Sequence, residues 1–315
     1  MKFSLFFNEW LHENYYKNAV NIGKKGDFFT AVSIGELFGT LLAKHFLNLL
    51  DKQILKLPIQ IVEVGANEGF LSKDFLTALL SFRAEIFEKL EFFIIEPHEK
   101  LRTLQKNTLQ GVEFSHKTSL KECNFKNAFI FTNELFDSFA CELINDGKMA
   151  FVKDFEIYFK HITKELKKEC DLLGLKKGEF CPYLAEFFDD LNKACENFVF
   201  AGFDYGKNEI NNFSLRIFKK HEIFDFFSSD LRKFFGKSDL TYDINFKHLL
   251  SLIERQNFKL LAFERQSKAL LNFGFEELLT FTKEKNQKAY ESFLKQGKNL
   301  FFNFNDKFHF FEFKK

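Results

Sequence analysis

Apolar runs of strand length alternate with amphipathic stretches of helix length through the middle of the chain. The runs at Ile59–Val64, 91–95, 128–132 and 198–203 are rich in Ile, Val and Phe, which predicts strands buried on both faces. Between the first three, residues 71–80 and 100–107 predict crossover helices. Such alternation implies a mostly parallel sheet with right-handed crossovers, an α/β Rossmann-like fold whose ligand sites lie beyond the carboxyl ends of the strands. Further strands are predicted at 215–218, 259–264 and 308–313. The last is expected at an antiparallel edge, with Lys314 and Lys315 protecting it. The order of elements divides the chain into an N-terminal helical segment (1–55), a core (56–146), a charged amphipathic insertion with a helix at 184–195 (147–197), and the remainder of the sheet (198–315). The insertion reads as a lid or a substrate-side elaboration.

Composition narrows the class. Among 315 residues, 46% are hydrophobic and 28% charged, as in an ordinary soluble globular protein. Phe is over-represented, at 49 residues, and is read as core filling where Leu, Ile or Val would serve. Charges are interspersed and sum to +1, so there is no basic footprint for a phosphate backbone, and nucleic acid is not expected as a partner. The five cysteines are widely spaced with no CxxC pair, which argues against a zinc site or a disulfide framework; no metal is expected. Charged residues interrupt every hydrophobic stretch and no signal-peptide pattern is present, so a cytoplasmic protein without membrane insertion is expected.

Candidate chemistry sits at three strand ends. After Ile59–Val64 comes a two-glycine loop, Gly65-Ala66-Asn67-Glu68-Gly69, running into a helix. Glycine permits tight turning and close ligand approach, and a helix N-terminus can hold ligand oxygens. A dinucleotide fingerprint needs glycines at 67 and 70, where Asn67 and Phe70 stand, and a P-loop needs Gly-Lys-Ser/Thr, so both phosphate readings weaken. Alone, the loop is equally a structural turn. The next strand ends at Glu96, before Pro97. A carboxylate there can accept both ribose hydroxyls, and the pairing suits an adenosine without pyrophosphate, as in S-adenosyl-L-methionine; the competing reading is a helix cap.

The third end, Asn133-Glu134-Leu135-Phe136-Asp137-Ser138-Phe139-Ala140-Cys141-Glu142, clusters three carboxylates. Glu134 and Glu142 could clamp a guanidinium and one could receive its proton, although Asp137 and Glu142 could equally be solvated loop charges. Upstream, the glycine-punctuated loop 23–31 contains Asp27, which could close over a cofactor. Ser33 with Glu36 forms a plausible capping box. His12, His98, His116 and His221 show no metal-ligand spacing and receive no role.

Taken together, these motifs resemble the MidA-like family of methyltransferases over nearly the whole chain. The resemblance rests on Gly26-Asp27-Phe28-Phe29-Thr30-Ala31, Val62-Glu63-Val64-Gly65, Glu96 with Leu101-Arg102 and Gln105, Asn133-Glu134-Leu135-Phe136-Asp137, Asp204-Tyr205-Gly206, Leu215-Arg216 with His221, Asp239-Leu240-Thr241 with Asp243 and Phe246, and Gln266. Departures from the pattern are Val32-Ser33, Asn67 and Ala140. The resemblance implies a Rossmann-like class I methyltransferase fold with S-adenosyl-L-methionine as cofactor. Asp27, Glu63, Gly65, Asn67, Gly69 and Glu96 are the expected cofactor residues, and Asn133, Glu134 and Glu142 the expected catalytic ones. A protein substrate methylated on arginine is implied by the mitochondrial members, which assist respiratory complex I assembly. A non-catalytic assembly factor and a small-molecule methyltransferase are the alternatives.

Overall fold

The computed structural model describes residues 1–19, 31–302 and 307–315, the side chains of 18 and 19 excepted. In chain order its strands are β1 (Ile59–Val64), β2 (Leu90–Ile95), β3 (Ser115–Lys117), β4 (Phe125–Asn133), β5 (Glu142–Asn145), β6 (Lys148–Lys153), β7 (Glu156–His161) and β8 (Lys177–Phe180). They continue with β9 (Cys195–Lys207), β10 (Arg216–Lys219), β11 (Glu222–Asp225), β12 (Asp239–Thr241), β13 (Ile244–Asn245), β14 (Lys259–Arg265) and β15 (Phe308–Lys314). The helices used below are α1 (Phe3–Asn8), α2 (Leu37–Asp51), α3 (Phe70–Arg83) and α4 (Glu99–Thr108). Two compact units result, each from three separate stretches of chain. One comprises Phe29–Asn133, Leu191–Phe203 and Phe258–Lys315; the other comprises Met1–Phe28, Glu134–Asp190 and Asp204–Asn257.

The first unit carries a large sheet in the order β14-β15-β9-β4-β1-β2-β3. Parallel pairing joins β1 to β2 and β4, β2 to β3, and β4 to β9, while β14 and β15 are antiparallel. Strand, helix and strand step outward from β1 through α3, β2, α4 and β3, after which the chain returns to β4 on the opposite side of β1. That reversal creates a crevice between the carboxyl ends of β1 and β4, the place where open α/β sheets bind ligands. β1 is buried on both faces, as its nearly unbroken apolar run predicts. Phe rings fill the layer between sheet and helices: Phe46 of α2 lies 5.1 Å from Phe129, and Phe75 of α3 lies 5.1 Å from Phe131. Gly39 lets α2 and α3 approach, because a Cβ there would stand 2.6 Å from the Asp74 Cβ and 2.9 Å from the Phe75 backbone nitrogen.

Two expectations are corrected in this unit. β15 is an interior strand between β9 and β14, so Lys314 and Lys315 guard no edge. Contacts of Gly202 with Phe311, Phe200 with Phe313 and Phe198 with Lys315 run in opposite senses, so β15 lies antiparallel to β9. Lys315 Nζ instead donates to the carbonyls of Asn192 and Cys195 at 2.6 and 2.9 Å. The capping box also does not form. Ser33 lies within a short 3-10 turn, Val32–Ile34, and the first amide of α2, at Leu37, donates to Gln296 Oε1 at 2.9 Å.

The second unit contains two small antiparallel sheets, β7-β6-β5-β8 and β11-β10-β12, with β13 pairing the tail of β9 through Ile244–Gly206 and Asn245–Lys207. The segment read as an insertion therefore supplies β6, β7 and β8 of the first of these sheets as well as the predicted helix, observed at Pro182–Ala194. α1 runs into a π-helix, Glu9–Ala19, and the buried Phe3, Phe6 and Phe7 of α1 and Trp10 of the π-helix pack against Phe226, Phe235 and Tyr242. Trp10 satisfies its indole N–H on the Ser238 carbonyl at 2.8 Å. Among the described residues no helix is long and apolar enough to cross a membrane, no cluster of metal-ligating side chains occurs, and the cysteines are free.

Candidate functional site

β1 ends at Val64, and the loop after it is shaped by three residues of positive φ: Gly65 (+72°), Asn67 (+50°) and Gly69 (+85°). Glycine reaches this region without steric cost, and Asn is among the few other residues that visit it. Asn67 thus takes the left-handed backbone that a glycine would take. Gly65 N donates to the Ile95 carbonyl at 3.0 Å, and Gly69 N to the Ala66 carbonyl at 2.7 Å, so the loop is pinned to β2 and closed on itself. Gly69 is the N-cap of α3, and among the described residues no side chain caps that helix end. Its first-turn amides and positive dipole end are suited to ligand oxygens. Thr132 Oγ1 of β4 donates to the Val64 carbonyl at 2.9 Å, tying the end of β4, and with it Asn133, to the same place.

Glu96 follows β2 directly and is buried. Its Oε1 accepts from His98 N at 3.0 Å and its Oε2 from Gln105 Nε2 at 3.3 Å, while Arg102 donates to its carbonyl oxygen at 2.8 Å. Burial pushes its carboxyl up to about 7, against the opposing pull of the His98 and Gln105 hydrogen bonds and the Arg102 charge. The carboxylate therefore does accept an amide at the head of α4, and it also stands beside the glycine loop. Glu63, within β1, is turned to Ser72 of α3, whose hydroxyl donates to it. Burial raises Glu63 to about 8, the Ser72 bonds oppose the rise, and the neighbouring charges of Glu96 and Asp74 add to it. At neutral pH Glu63 is mostly protonated and fastens α3 to the sheet. A cradle of left-handed turns, an open helix end and an adjacent carboxylate with acceptor oxygens fits the ribose and carboxylate ends of a nucleoside amino acid.

In the second unit, Glu134 has φ +53° and opens a turn leading to Asp137. Asp137 Oδ2 accepts from Tyr205 OH at 2.5 Å and from Thr241 Oγ1 at 2.7 Å, and the two hydroxyls are themselves bonded. Its Oδ1 is buried with no partner among the described residues. Asp204, fully buried, accepts from the amides of Tyr205 and Phe136 at 2.8 and 2.9 Å. Burial drives Asp204 well above the usual carboxylate range, and the charges of Asp137 and Glu134 push it further. The Arg216 guanidinium lies 4.9 Å over the Tyr205 ring and bonds Asp243 at 2.7 Å. Asp137 and Asp204 are buried and held toward their protonated forms, whereas Glu134 is half-buried and is the carboxyl of the three that can meet a cation or take up a proton.

Glu142 does not join that group. Ser4 Oγ donates to its Oε1 at 2.6 Å and Ser4 N to its Oε2 at 3.2 Å, so both oxygens anchor α1, and a two-glutamate clamp lacks its second arm. Asp27 lies outside the described residues. Sequence reasoning assigned no role to Gln105, Ser72, Asp137, Asp204, Tyr205 or Thr241. The signal for Gln105 was a polar residue one turn after Leu101 on the buried face of an otherwise polar helix.

Residues 41–263 match the family described as "Putative S-adenosyl-L-methionine-dependent methyltransferase". The chain is similar to the mitochondrial protein arginine methyltransferase NDUFAF7 of Rattus norvegicus, at 22% identity over 95% of this chain and 77% of the relative. The Homo sapiens protein of that name is 21% identical over 95% of this chain and 76% of its own length. Among solved structures, a Burkholderia thailandensis protein crystallised with S-adenosyl-homocysteine superposes with a TM-score of 0.82 at 19% identity, covering 100% of this chain and 88% of the other. That likeness establishes the fold as Rossmann-like class I methyltransferase.

Proposed function

The chain belongs to this family of S-adenosyl-L-methionine-dependent methyltransferases, and from that premise we propose that its methyl acceptor is an arginine side chain of a protein substrate. Its cofactor is S-adenosyl-L-methionine. The similarity to proteins named as arginine methyltransferases, which extends over 95% of the chain, carries the choice of acceptor. The half-buried carboxyl of Glu134 supports it, because a guanidinium is a planar cation matched by a carboxylate.

When bound, the cofactor supplies a methyl group activated by its sulfonium. The chain's own residues then divide the remaining work. Glu96 would accept the ribose hydroxyls, and the amides of Asn67 and the head of α3 would receive the amino-acid end. Glu134 would hold the acceptor guanidinium and take the proton it loses, as the new N–C bond forms and the methyl–sulfur bond breaks with its electron pair left on sulfur. Orientation of this kind lowers the barrier of an in-line displacement without a metal. The test is to incubate the protein with methyl-labelled cofactor and lysate of a strain deleted for it. A discrete labelled protein that yields methylarginine on hydrolysis is expected, with the label lost in Glu134→Gln. Label recovered on another residue type, or undiminished label in Glu134→Gln, would overturn the acceptor or the residue's role respectively.

A further inference from the structure

Gln105 is 0% exposed, at the point where α4 faces the glycine loop. An apolar residue would satisfy packing at such a position, and burying an amide is unfavourable unless its hydrogen bonds are all made. Here they are. Nε2 donates to the Asn67 carbonyl at 2.8 Å and to Glu96 Oε2 at 3.3 Å, and Oε1 lies 2.8 Å from His116 Nε2. The left-handed turn at Gly69 (φ +85°) lies beside it, within ordinary contact distance of the Gln105 side chain. The amide cannot be turned over, because its oxygen would then face a carbonyl and a carboxylate, acceptor against acceptor. His116 must therefore donate from Nε2. Its imidazole, lowered to about 4 by burial and by the nearby Lys106 and Arg102 charges, is neutral at pH 7 and available as that tautomer.

We propose that Gln105 is a positioning residue for the cofactor: held by His116 of β3, it locks the glycine loop at Asn67 and the carboxylate of Glu96 into one rigid cradle. The proposal rests on Glu96 being the ribose acceptor, and it adds a residue pair to which no role had been given. Through its bond to Oε2, Gln105 also favours the ionised form of Glu96, the form that accepts from hydroxyls.

Calorimetric titration of S-adenosyl-L-methionine into the full chain tests it, with Gln105→Leu, His116→Phe, His116→Gln and the double variant Gln105→Leu/His116→Phe. Gln105→Leu should weaken binding by about tenfold, the effect of losing a hydrogen bond to a charged group and the restraint on the loop. It should also move the pH midpoint of binding upward, which loss of packing alone would not do. His116→Phe should weaken binding severalfold in the wild-type background and add nothing in Gln105→Leu, since His116 acts through the amide. His116→Gln, which can still donate, should restore most of the affinity. Should Gln105→Leu not fold, Gln105→Met and His116→Phe carry the same comparison. Wild-type protein that fails to bind at millimolar cofactor would overturn the cofactor reading itself. Normal wild-type binding with variants within twofold of it, and an unmoved midpoint, would overturn the relay alone.

Discussion

Cofactor affinity should rise with pH through neutrality because of one carboxyl. Glu96 is buried after β2 and sits at about 7 in the free protein. Ribose hydroxyls donate to a carboxylate far better than to a carboxylic acid, so binding draws Glu96 into its ionised form. With a midpoint near 7, about one Glu96 in eleven is ionised at pH 6 and about ten in eleven at pH 8. The apparent dissociation constant should therefore fall about tenfold over that interval, equivalent to about 1.4 kcal/mol. The cofactor's own amino group and the other buried carboxyls also titrate, so the quantity to measure is the ratio of dissociation constants for Glu96→Gln and wild type at each pH. Contributions common to both proteins cancel in that ratio. It should grow about tenfold from pH 6 to pH 8 when followed by calorimetry. A ratio constant within a factor of two would refute the assignment of Glu96 to the ribose, whatever the absolute affinity.

Glu63 makes a second pH-dependent contribution, to stability. Its carboxyl rises from an unfolded value of 4.5 to about 8, so the folded chain prefers the protonated form. The associated stability is fully present below pH 4.5 and is lost as pH rises toward 8. Glu63→Gln should remove that loss and gain on wild type by on the order of a few kcal/mol between pH 5 and pH 9, read from denaturant midpoints; parallel curves for the two proteins would contradict it. Ser4 and Glu142 should couple by about 1–3 kcal/mol in a double-mutant cycle of unfolding, with methyl transfer retained in Glu142→Ala. A folded Glu142→Ala without activity would return that residue to the chemistry. Phe75→Ala, which empties a fully buried ring position between Phe46, Phe129 and Phe131, should cost about 3–5 kcal/mol in urea unfolding without moving cofactor affinity per folded molecule.

Much of the central sheet was legible because its strands are apolar and largely buried: the run at Ile59–Val64 has the observed bounds, and β2, β4 and β9 contain the predicted ones, while the three-residue β3 was not predicted. The loop beside Glu96 was legible for the same reason, since Gly65, Asn67, Gly69 and Glu96 are local to those strand ends. The small sheets of the second unit were not. β7 leaves most of its residues partly or fully exposed and shows no apolar run. The hairpin turns at Asp154-Phe155 and Lys220-His221 hold positive φ at both central residues without any glycine to announce them. The third such turn, Asp146-Gly147, does carry the Asp-Gly signal for a two-residue hairpin, and it was passed over.

Long-range partners account for the rest. Glu142 finds Ser4 across 138 residues, and Asp137 finds Tyr205 and Thr241 across 68 and 104. Spacing along the chain placed Glu142 with Glu134, while the fold commits it to α1. Conversely, the amide at the head of α2, at Leu37, finds its acceptor in Gln296, far along the chain, where a local capping box of Ser33 and Glu36 was expected. Partners around Glu134 and Glu142 therefore depended on topology, whereas the geometry at residues 65–69 and Glu96 followed from strand order.

The central claim, that this chain is an S-adenosyl-L-methionine-dependent methyltransferase, is tested most directly by calorimetric titration of the wild-type protein with that cofactor and, separately, with a pyrophosphate dinucleotide. Saturating heat with one cofactor per chain, and none with the dinucleotide that the loop's missing glycines disfavour, is the expected result. No heat with S-adenosyl-L-methionine at millimolar concentration would contradict the account.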